Sequence, residues 1–290
     1  LLFSPNLLPM MMPSSVTQYN GHIYGNFPSY YDFNPSGKRT ELLRGVLVRE
    51  VLATHEKSAF GYLDVGCNDG TLTYDISRLI SSALPEGTEV VTTGVDIDPV
   101  LIERAIKQYP TREQITYEWK AGDILDGILS ENGGESAYRP SPGTLSLISC
   151  FSTTMWLHLH HGDSGLTAFL REGCKWLKRG GLFLVEPQEN VSYKKANRRL
   201  RQMKVVGEKD DKSDPNPTVH QFDLENLSLR SENSDVTHRI KEIILGEGFV
   251  EIKIDFERKD GDGDGDGDGD GDRKDTRTHW NRRLMLFRKN

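Results

Sequence analysis

Residues 63–70 read LDVGCNDG and residues 94–98 read GVDID, and these two stretches decide the fold. The residues 61–65 are typical of a buried strand, and the glycines after them favour a turn that leads into a helix. A second strand is predicted over 90–95 and ends in Asp96. Because an acid in this position can accept hydrogen bonds from ribose hydroxyls, the pattern predicts a nucleotide-type cofactor site at the carboxyl edge of a parallel sheet.

The turn itself indicates which cofactor it suits. Its pattern is Asp64-x-Gly66-x-Asn68-x-Gly70, so Asn68 stands where a dinucleotide-binding turn has its middle glycine. Asp64 would repel a pyrophosphate but could pair with the ammonium group of a ligand. S-adenosylmethionine (SAM) has an amino-acid end and a ribose but no phosphate, and it fits this turn. A plain strand–helix turn is the alternative reading of any one of these glycines.

Composition favours one sizeable domain. The chain has 290 residues, and α/β folds of this length are often single domains. We expect residues 1–24 to be a poorly ordered extension and residues 25–290 to form the domain. No stretch approaches the ~18 apolar residues of a membrane span, so no membrane partner is expected. The three cysteines, Cys67, Cys150 and Cys174, match neither a disulfide framework nor a zinc pattern. They indicate a reducing compartment, with the cytoplasm expected and the nucleus as the alternative.

The acidity of the chain is concentrated in one segment. The formal net charge is −7, and seven aspartates lie in the run DGDGDGDGDGDGD at 260–272, so the rest of the chain is near neutrality. The run has no apolar residue to bury, and a mobile loop is predicted over 257–279. An EF-hand is excluded because the twelfth position counted from Asp260 is Gly271 rather than glutamate.

Strands and helices alternate along the rest of the chain. Further strands are predicted over 115–119, 145–150, 182–185, 250–256 and 284–287, and further helices over 99–109, 165–177, 191–204 and 236–246. Alternation implies a doubly wound α/β fold with its ligand at the strand ends. The last two strands are joined without a helix, so they should form an antiparallel hairpin at one edge. The result is the seven-stranded, mostly parallel, Rossmann-like sheet of a class I SAM-dependent methyltransferase.

Several longer blocks carry a narrower resemblance. They are GNFPSYYDFN (25–34), LDVGCNDGTLT (63–73), VDIDPVLIERA (95–105), ISCFSTTMWLHLHHGDSGL (148–166), LVEPQ (184–188) and RRLMLF (282–287). Together they resemble the Bin3 domain, a family of SAM-dependent enzymes that methylate the 5′-phosphate end of small RNAs. One branch of that family caps the γ-phosphate of 5′-triphosphate RNAs such as 7SK. The other, the BCDIN3D-like proteins, methylates 5′-monophosphates of microRNA precursors and histidine tRNA, and the present sequence looks closer to it.

The resemblance implies a SAM-dependent RNA O-methyltransferase and fills in the cofactor site. We expect Gly66 and Asn68 to meet the methionine end, while Arg39 pairs with its carboxylate, as the matching arginine of the family does. Without the family match, Arg39 would read as a solvated charge at a helix start. Asp123 and Ile124 are expected to hold the adenine. Phe151 is expected to line the pocket.

The RNA end needs cations and hydrogen-bond donors. His158, His160 and His161 lie in a predicted loop after the strand 145–150 and could grip the terminal phosphate, with His161 toward the RNA. A metal site is the less favoured reading of H-x-H-H, and purely structural hydrogen bonds stay open. Tyr30 could close over the site or stack on the first base, but core packing is equally compatible.

A basic helix is predicted to contact the phosphate backbone of RNA. Within 191–204, the closely spaced cations are Lys194, Lys195, Arg198, Arg199 and Arg201. A solvated face is the usual explanation for such a run, but no acid interrupts it and it leaves the ligand edge of the sheet. The expected reaction needs no general base and no metal, and a monomer is expected. The alternatives are γ-phosphate capping and an RNA-binding or chaperone-like module with little activity; a small-molecule methyltransferase is a third, which the basic helix disfavours.

Overall fold

The computed structural model gives the arrangement of most of the predicted domain. It describes residues 18–19, 22–23, 29–54, 59–112, 114–129, 138–207, 222, 224–230, 235–254 and 282–290. The predicted Asp-Gly loop at 257–279 lies outside these residues. Of the predicted extension at 1–24, only the two short strands named below are described. None of the helices in the described part of the chain is long and apolar enough to cross a membrane.

Nine strands and eight helices are present in the described residues. The strands are β1 (Gln18–Tyr19), β2 (His22–Ile23), β3 (Phe60–Val65), β4 (Val90–Asp96), β5 (Ile115–Ala121), β6 (Leu145–Phe151), β7 (Leu177–Glu186), β8 (Phe249–Ile252) and β9 (Met285–Lys289). The helices are α1 (Tyr30–Phe33), α2 (Gly37–Thr54), α3 (Thr71–Ala83), α4 (Pro99–Gln108), α5 (Asp126–Leu129), α6 (Thr154–Trp176), α7 (Asn190–Gly207) and α8 (Val236–Gly246).

The main sheet has seven strands in the order β5-β4-β3-β6-β7-β9-β8. Strands β3 to β7 pair in parallel, whereas β9 is antiparallel to both β7 and β8. The class I methyltransferase arrangement and its antiparallel edge hairpin are therefore confirmed. The chain runs outward from β3 to β5 and then returns to β6, so the strand order reverses between β3 and β6. Ligands of open α/β sheets bind outside the carboxyl ends of the strands at such a reversal.

Apolar residues cover both faces of the sheet. Phe183 belongs to a buried cluster with Phe169 of α6 and Ile240 of α8. Its neighbour Leu184 belongs to a second cluster with Leu43 of α2, so successive residues of β7 face opposite sides. Helix α2 precedes β3, and its bounds were not predicted from the sequence.

Three predicted elements differ most from the structure in their bounds, and two of them, α6 and β7, carry the site. Helix α6 begins at Thr154, eleven residues before the predicted start at 165, and bends at Gly162, where φ is 66° and ψ is −171°. Strand β7 begins at Leu177 rather than 182, because Gly180 and Gly181 are accommodated inside the strand by a register shift between Leu145 and Leu147 of β6. Strand β8 ends at Ile252, before the predicted end at 256.

Candidate active site

The turn between β3 and α3 is built from three residues in the left-handed region. The φ angles of Gly66, Asn68 and Gly70 are +78°, +54° and +82°. Glycine adopts this region without steric cost, and asparagine is one of the few other residues that tolerate it. A side chain on Gly66 is excluded for a second reason, because a Cβ there would lie 2.0 Å from Oγ1 of Thr153. The turn therefore passes within contact distance of the segment that follows β6.

Asp96 ties this turn to the end of the neighbouring strand. Its carboxylate oxygens accept hydrogen bonds from the backbone N–H groups of Asn68 at 2.8 Å and Asp98 at 3.0 Å. The side chain is buried. A carboxylate has about four lone-pair sites, so these two bonds are compatible with acceptance from ligand hydroxyls as well. The geometry places Asp96 beside the turn, where the sequence pattern predicted it.

Asp64 lies two residues before the turn and is fully enclosed by protein. Its two oxygens accept hydrogen bonds from Ser149 Oγ at 2.6 Å and Thr73 Oγ1 at 2.5 Å. Burial raises the pKa of Asp64 to about 6, although the two hydroxyl bonds act in the opposite direction. An opposite charge close to such a buried carboxyl would stabilise its ionised form. The predicted contact with a ligand ammonium group is chemically consistent with this environment.

Asp123 and His161 contact each other at the end of β5. The imidazole Nε2 lies 2.7 Å from Asp123 Oδ2, and the other carboxylate oxygen accepts from the Leu125 N–H at 2.9 Å. Burial acts to raise the pKa of Asp123, but the bonds from His161 and Leu125 outweigh it and the net pKa is lowered. Ile124 is buried beside them. A residue predicted to hold adenine and one predicted to meet RNA are thus brought together.

The three histidines lie on helix α6, not in the loop that the sequence suggested. His158 is fully buried, with Nδ1 2.9 Å from Tyr193 Oη and Nε2 2.6 Å from Asp163 Oδ1. Burial lowers the pKa of His158, and Asp163 partly counters this effect. His160 instead packs against the ring of Phe222, at a centroid distance of 4.9 Å. Because their partners come from different parts of the chain, the three imidazoles do not converge on one point.

A polar network lies at the carboxyl ends of β6 and β7. Arg39 donates to both carboxylate oxygens of Glu186, from Nη2 at 2.9 Å and from Nε at 3.2 Å, and both side chains are fully buried. Arg39 Nη2 also donates to Tyr30 Oη at 2.6 Å. The Arg39 guanidinium lies 6.0 Å from the ring centroid of Phe151, which is itself buried. Tyr30, Arg39 and Phe151, all singled out from the sequence, therefore share one environment.

Ser152, the residue that follows β6, is also part of this network. Its φ of 55° is in the left-handed region, which is uncommon for serine. The conformation is held because the Ser152 N–H donates to the backbone oxygen of Glu186 at 2.9 Å, and Gln188 donates to the Ser152 carbonyl. Backbone strain of this kind costs about 1–3 kcal/mol and is found preferentially at functional sites.

Comparisons with known proteins identify the family. Residues 145–245 match the sequence model of Bin3, Bicoid-interacting protein 3. The pre-miRNA 5′-monophosphate methyltransferase of Xenopus laevis is 32% identical over 241 residues, covering 79% of this chain and 85% of that protein. The RNA 5′-monophosphate methyltransferase of Homo sapiens is 30% identical over 284 residues, covering 91% and 80%. The chain belongs to the Bin3 family.

A capping enzyme is also among the Bin3 relatives. The U6 snRNA methylphosphate capping enzyme Amus of Drosophila melanogaster is 30% identical over 193 residues, which are 62% of this chain and 58% of that protein. The matched Bin3 segment, 145–245, runs from β6 to α8. It includes Ser152, Glu186 and the three histidines, whereas the cofactor turn and Arg282 lie outside it.

Helix α7 of this Bin3 chain is anchored on one side and cationic on the other. Tyr193 is buried against His158, and the amide of Asn197 exchanges hydrogen bonds of 3.0 and 3.2 Å with the backbone of Phe222. Lys194, Lys195 and Arg198 are exposed. The side chains of Arg199 and Arg201 lie outside the described residues.

Sequence reasoning gave no role to three residues of the network. Glu186 ends a strand at the same sheet edge as Asp96, so an acid in that position was a usable signal. Ser152 and Arg282 had no comparable signal. Their importance follows only from contact, because Arg282 Nη1 donates to Ser152 Oγ at 2.5 Å across 130 residues of sequence.

Proposed function

We propose that this chain is a SAM-dependent O-methyltransferase that acts on the 5′-phosphate end of a small RNA, with 5′-monophosphates preferred. The observation that carries the proposal is identity of 30–32% to RNA 5′-monophosphate methyltransferases over 80–85% of their length. The cofactor turn, Asp96 and the network at Ser152 lie at the carboxyl edge of the same sheet, which supports binding of cofactor and substrate side by side.

The residues present fit SAM. The turn offers a close backbone approach at Gly66, and the enclosed carboxyl of Asp64 favours an ammonium group over a pyrophosphate. In our proposal Asp96 accepts from the ribose hydroxyls, and Asp123 with Ile124 holds the adenine. Arg39 meets the methionine carboxylate while Glu186 keeps its guanidinium in place.

The reaction requires positioning rather than proton transfer. The second pKa of a terminal phosphate is about 6, so an anionic oxygen is available near neutral pH without a general base. This oxygen would accept the methyl group as the carbon–sulfur bond breaks, and the electron pair of that bond would remain on sulfur. Bound SAM supplies the methyl group and the sulfonium leaving group. The chain's own task is to hold the phosphate in line with the methyl group and to exclude water.

Helix α7 is proposed to bind the RNA backbone through Lys194, Lys195 and Arg198, with Arg199 and Arg201 as further candidates. The three described cations are exposed on a helix whose opposite side is fixed to the core through Tyr193 and Asn197. Rigid attachment lowers the ordering cost of binding. His161 remains a proposed RNA contact, although in the structure its ring is bonded to Asp123. His158 and His160 remain proposed as positioning residues of the active site rather than as RNA contacts.

Methyl transfer to three forms of one hairpin RNA tests the proposal. The RNA carries a 5′-monophosphate, a 5′-triphosphate or a 5′-hydroxyl, and the methyl group of SAM is labelled. Transfer to the monophosphate alone is expected. Preference for the triphosphate would favour the second candidate, γ-phosphate capping, which the Drosophila relative supports. Equal labelling of all three RNAs would place the methyl group elsewhere and exclude the mechanism. No transfer despite binding of SAM and RNA would favour an RNA-binding module.

We further propose a microRNA precursor or a tRNA as substrate, a monomeric state, no metal requirement and a cytoplasmic location, with the nucleus as the alternative. The relatives from Xenopus laevis and Homo sapiens are named for pre-miRNA and RNA 5′-monophosphates. Size-exclusion chromatography with light scattering tests the monomer, and unchanged transfer in EDTA tests the independence from metal. Imaging of the tagged protein in its own cells tests the location.

A further inference from the structure

Arg282 precedes strand β9 and reaches the carboxyl ends of β6 and β7. Its Nη1 donates to Ser152 Oγ at 2.5 Å. The next residue, Arg283, points to the other side and donates to Glu251 Oε1 at 3.0 Å on the exposed surface. Neighbouring residues of an extended chain alternate in direction, so only one of these two arginines can face the network at Ser152.

Ser152 holds this arginine in a defined position. A serine hydroxyl has one donor hydrogen and two acceptor lone pairs. Here it donates to Glu186 Oε2 at 2.5 Å and accepts from Arg282 at 2.5 Å and from Tyr30 Oη at 3.2 Å. These three contacts use the full capacity of the hydroxyl, and the left-handed backbone at Ser152 fixes where it sits. The Arg282 guanidinium is therefore oriented in advance.

The charges around Ser152 favour an anion. Arg39 and Glu186 form a buried ion pair with two hydrogen bonds, and Arg282 brings a second guanidinium to Ser152, whose hydroxyl donates to that carboxylate. Burial lowers the pKa of Arg282, and the acids Glu186 and Glu189 partly counter it. Two guanidinium groups and one carboxylate therefore meet at the hydroxyls of Tyr30 and Ser152. A phosphate group is an anion that matches the planar fork of a guanidinium.

This anion-favouring position lies beside the expected methyl donor. Thr153, the residue after Ser152, occupies the space that a side chain on Gly66 would need. Gly66 belongs to the cofactor turn, and strands β3 and β6 are direct neighbours. A phosphate held at Ser152 and Arg282 would therefore be next to the methionine end of the cofactor.

We propose that Arg282 determines specificity for the 5′ end by binding the terminal phosphate of the RNA, with Ser152 and Tyr30 orienting its guanidinium. The inference rests on the proposed function and assigns one residue to the recognition of the phosphate. Helix α7, by contrast, would bind RNA regardless of its 5′ end. Recognition of the 5′ end and binding of the RNA backbone would thus depend on different residues.

The test compares Arg282→Gln with Arg283→Gln, which removes the same charge one residue away. Dissociation constants are measured for one hairpin RNA with a 5′-monophosphate or a 5′-hydroxyl. Loss of a charge-assisted contact should reduce the preference for the phosphorylated end by about ten- to a hundred-fold in Arg282→Gln. Affinity for the 5′-hydroxyl RNA should change little. Arg283→Gln should keep the wild-type preference for the phosphorylated RNA. Arg282→Lys should keep part of that preference, because lysine retains the positive charge but lacks the planar, forked guanidinium.

Each outcome bears on one claim. A wild-type preference that survives in Arg282→Gln overturns this inference and leaves the proposed function intact. If the wild-type protein neither prefers nor methylates any phosphorylated end, the proposed function itself fails. Thermal unfolding and SAM affinity check that the variants fold. If both Arg282→Gln and Arg282→Lys fail to fold, Arg282 is a core residue and the inference is wrong.

Discussion

Replacing Gly66 by alanine should disrupt the cofactor turn. The φ of Gly66 is +78°, and a left-handed conformation costs an L-residue roughly 1–2 kcal/mol. The new Cβ would also lie 2.0 Å from Thr153 Oγ1 and 2.8 Å from its Cβ, and overpacking of this kind costs about 1–3 kcal/mol. The two effects together give a loss of roughly 2–5 kcal/mol, which lowers the melting temperature by on the order of 10 °C.

Gly87→Ala is the matched control for backbone strain. The φ of Gly87 is +81°, almost the same as that of Gly66, but no atom lies within 4 Å of a Cβ built there. Only the conformational cost of about 1–2 kcal/mol should therefore remain. Differential scanning calorimetry gives the melting temperatures, and isothermal titration gives SAM affinity. We expect Gly66→Ala to lose SAM binding and Gly87→Ala to keep it.

The comparison isolates the contact between the turn and Thr153. If the two variants lose equal stability and both bind SAM as tightly as the wild type, the close approach of Thr153 does not constrain the turn. The packing argument for the cofactor site, and for its proximity to Ser152, would then be refuted.

Three further predictions test the site. Burial raises the pKa of Asp64 from 3.8 to about 6, so SAM affinity measured by titration should fall about tenfold from pH 7 to pH 5 as the carboxyl is protonated. Asp64→Asn should remove that slope, and a slope that persists would assign it to another group. In the cofactor-free protein, the raised pKa of Asp64 contributes stability that is fully present below about pH 4. This stability is lost as the pH rises through about 6, and urea unfolding at a series of pH values measures the loss. Asp96→Ala should abolish SAM binding but spare RNA binding in a gel-shift assay, and equal loss of both would contradict the site assignment. Lys194→Gln combined with Arg198→Gln should weaken RNA binding whatever the 5′ end and reduce the salt slope by about 2, with SAM affinity as the control; an unchanged slope would exclude this helix from the RNA interface.

The cofactor turn was predictable because its determinants are local. Glycines that follow a buried strand, as Gly66 and Gly70 do, favour a left-handed turn, and an acid that ends the next parallel strand must lie at the same sheet edge. Asp96 therefore lies beside the turn in the structure as the pattern predicted. No tertiary contact had to be known for this part of the site.

The directions of the histidines were not predictable in the same way. The sequence suggested a loop after β6, but helix α6 begins at Thr154 and carries His158, His160 and His161. Their partners, Tyr193, Phe222 and Asp123, come from three other parts of the chain. A helix turns by about 100° per residue, so an error in its starting point changes which neighbour each side chain meets.

The alternation of strands and helices in the main sheet, the cofactor turn and the cationic helix follow from local sequence, because periodicity, glycine and charge act over a few residues. Which charges meet depends on the assembled fold. Arg39 and Glu186 are separated by 147 residues, and Arg282 and Ser152 by 130. Such pairs depend on the order and register of the strands, so they exist only when the whole sheet has assembled.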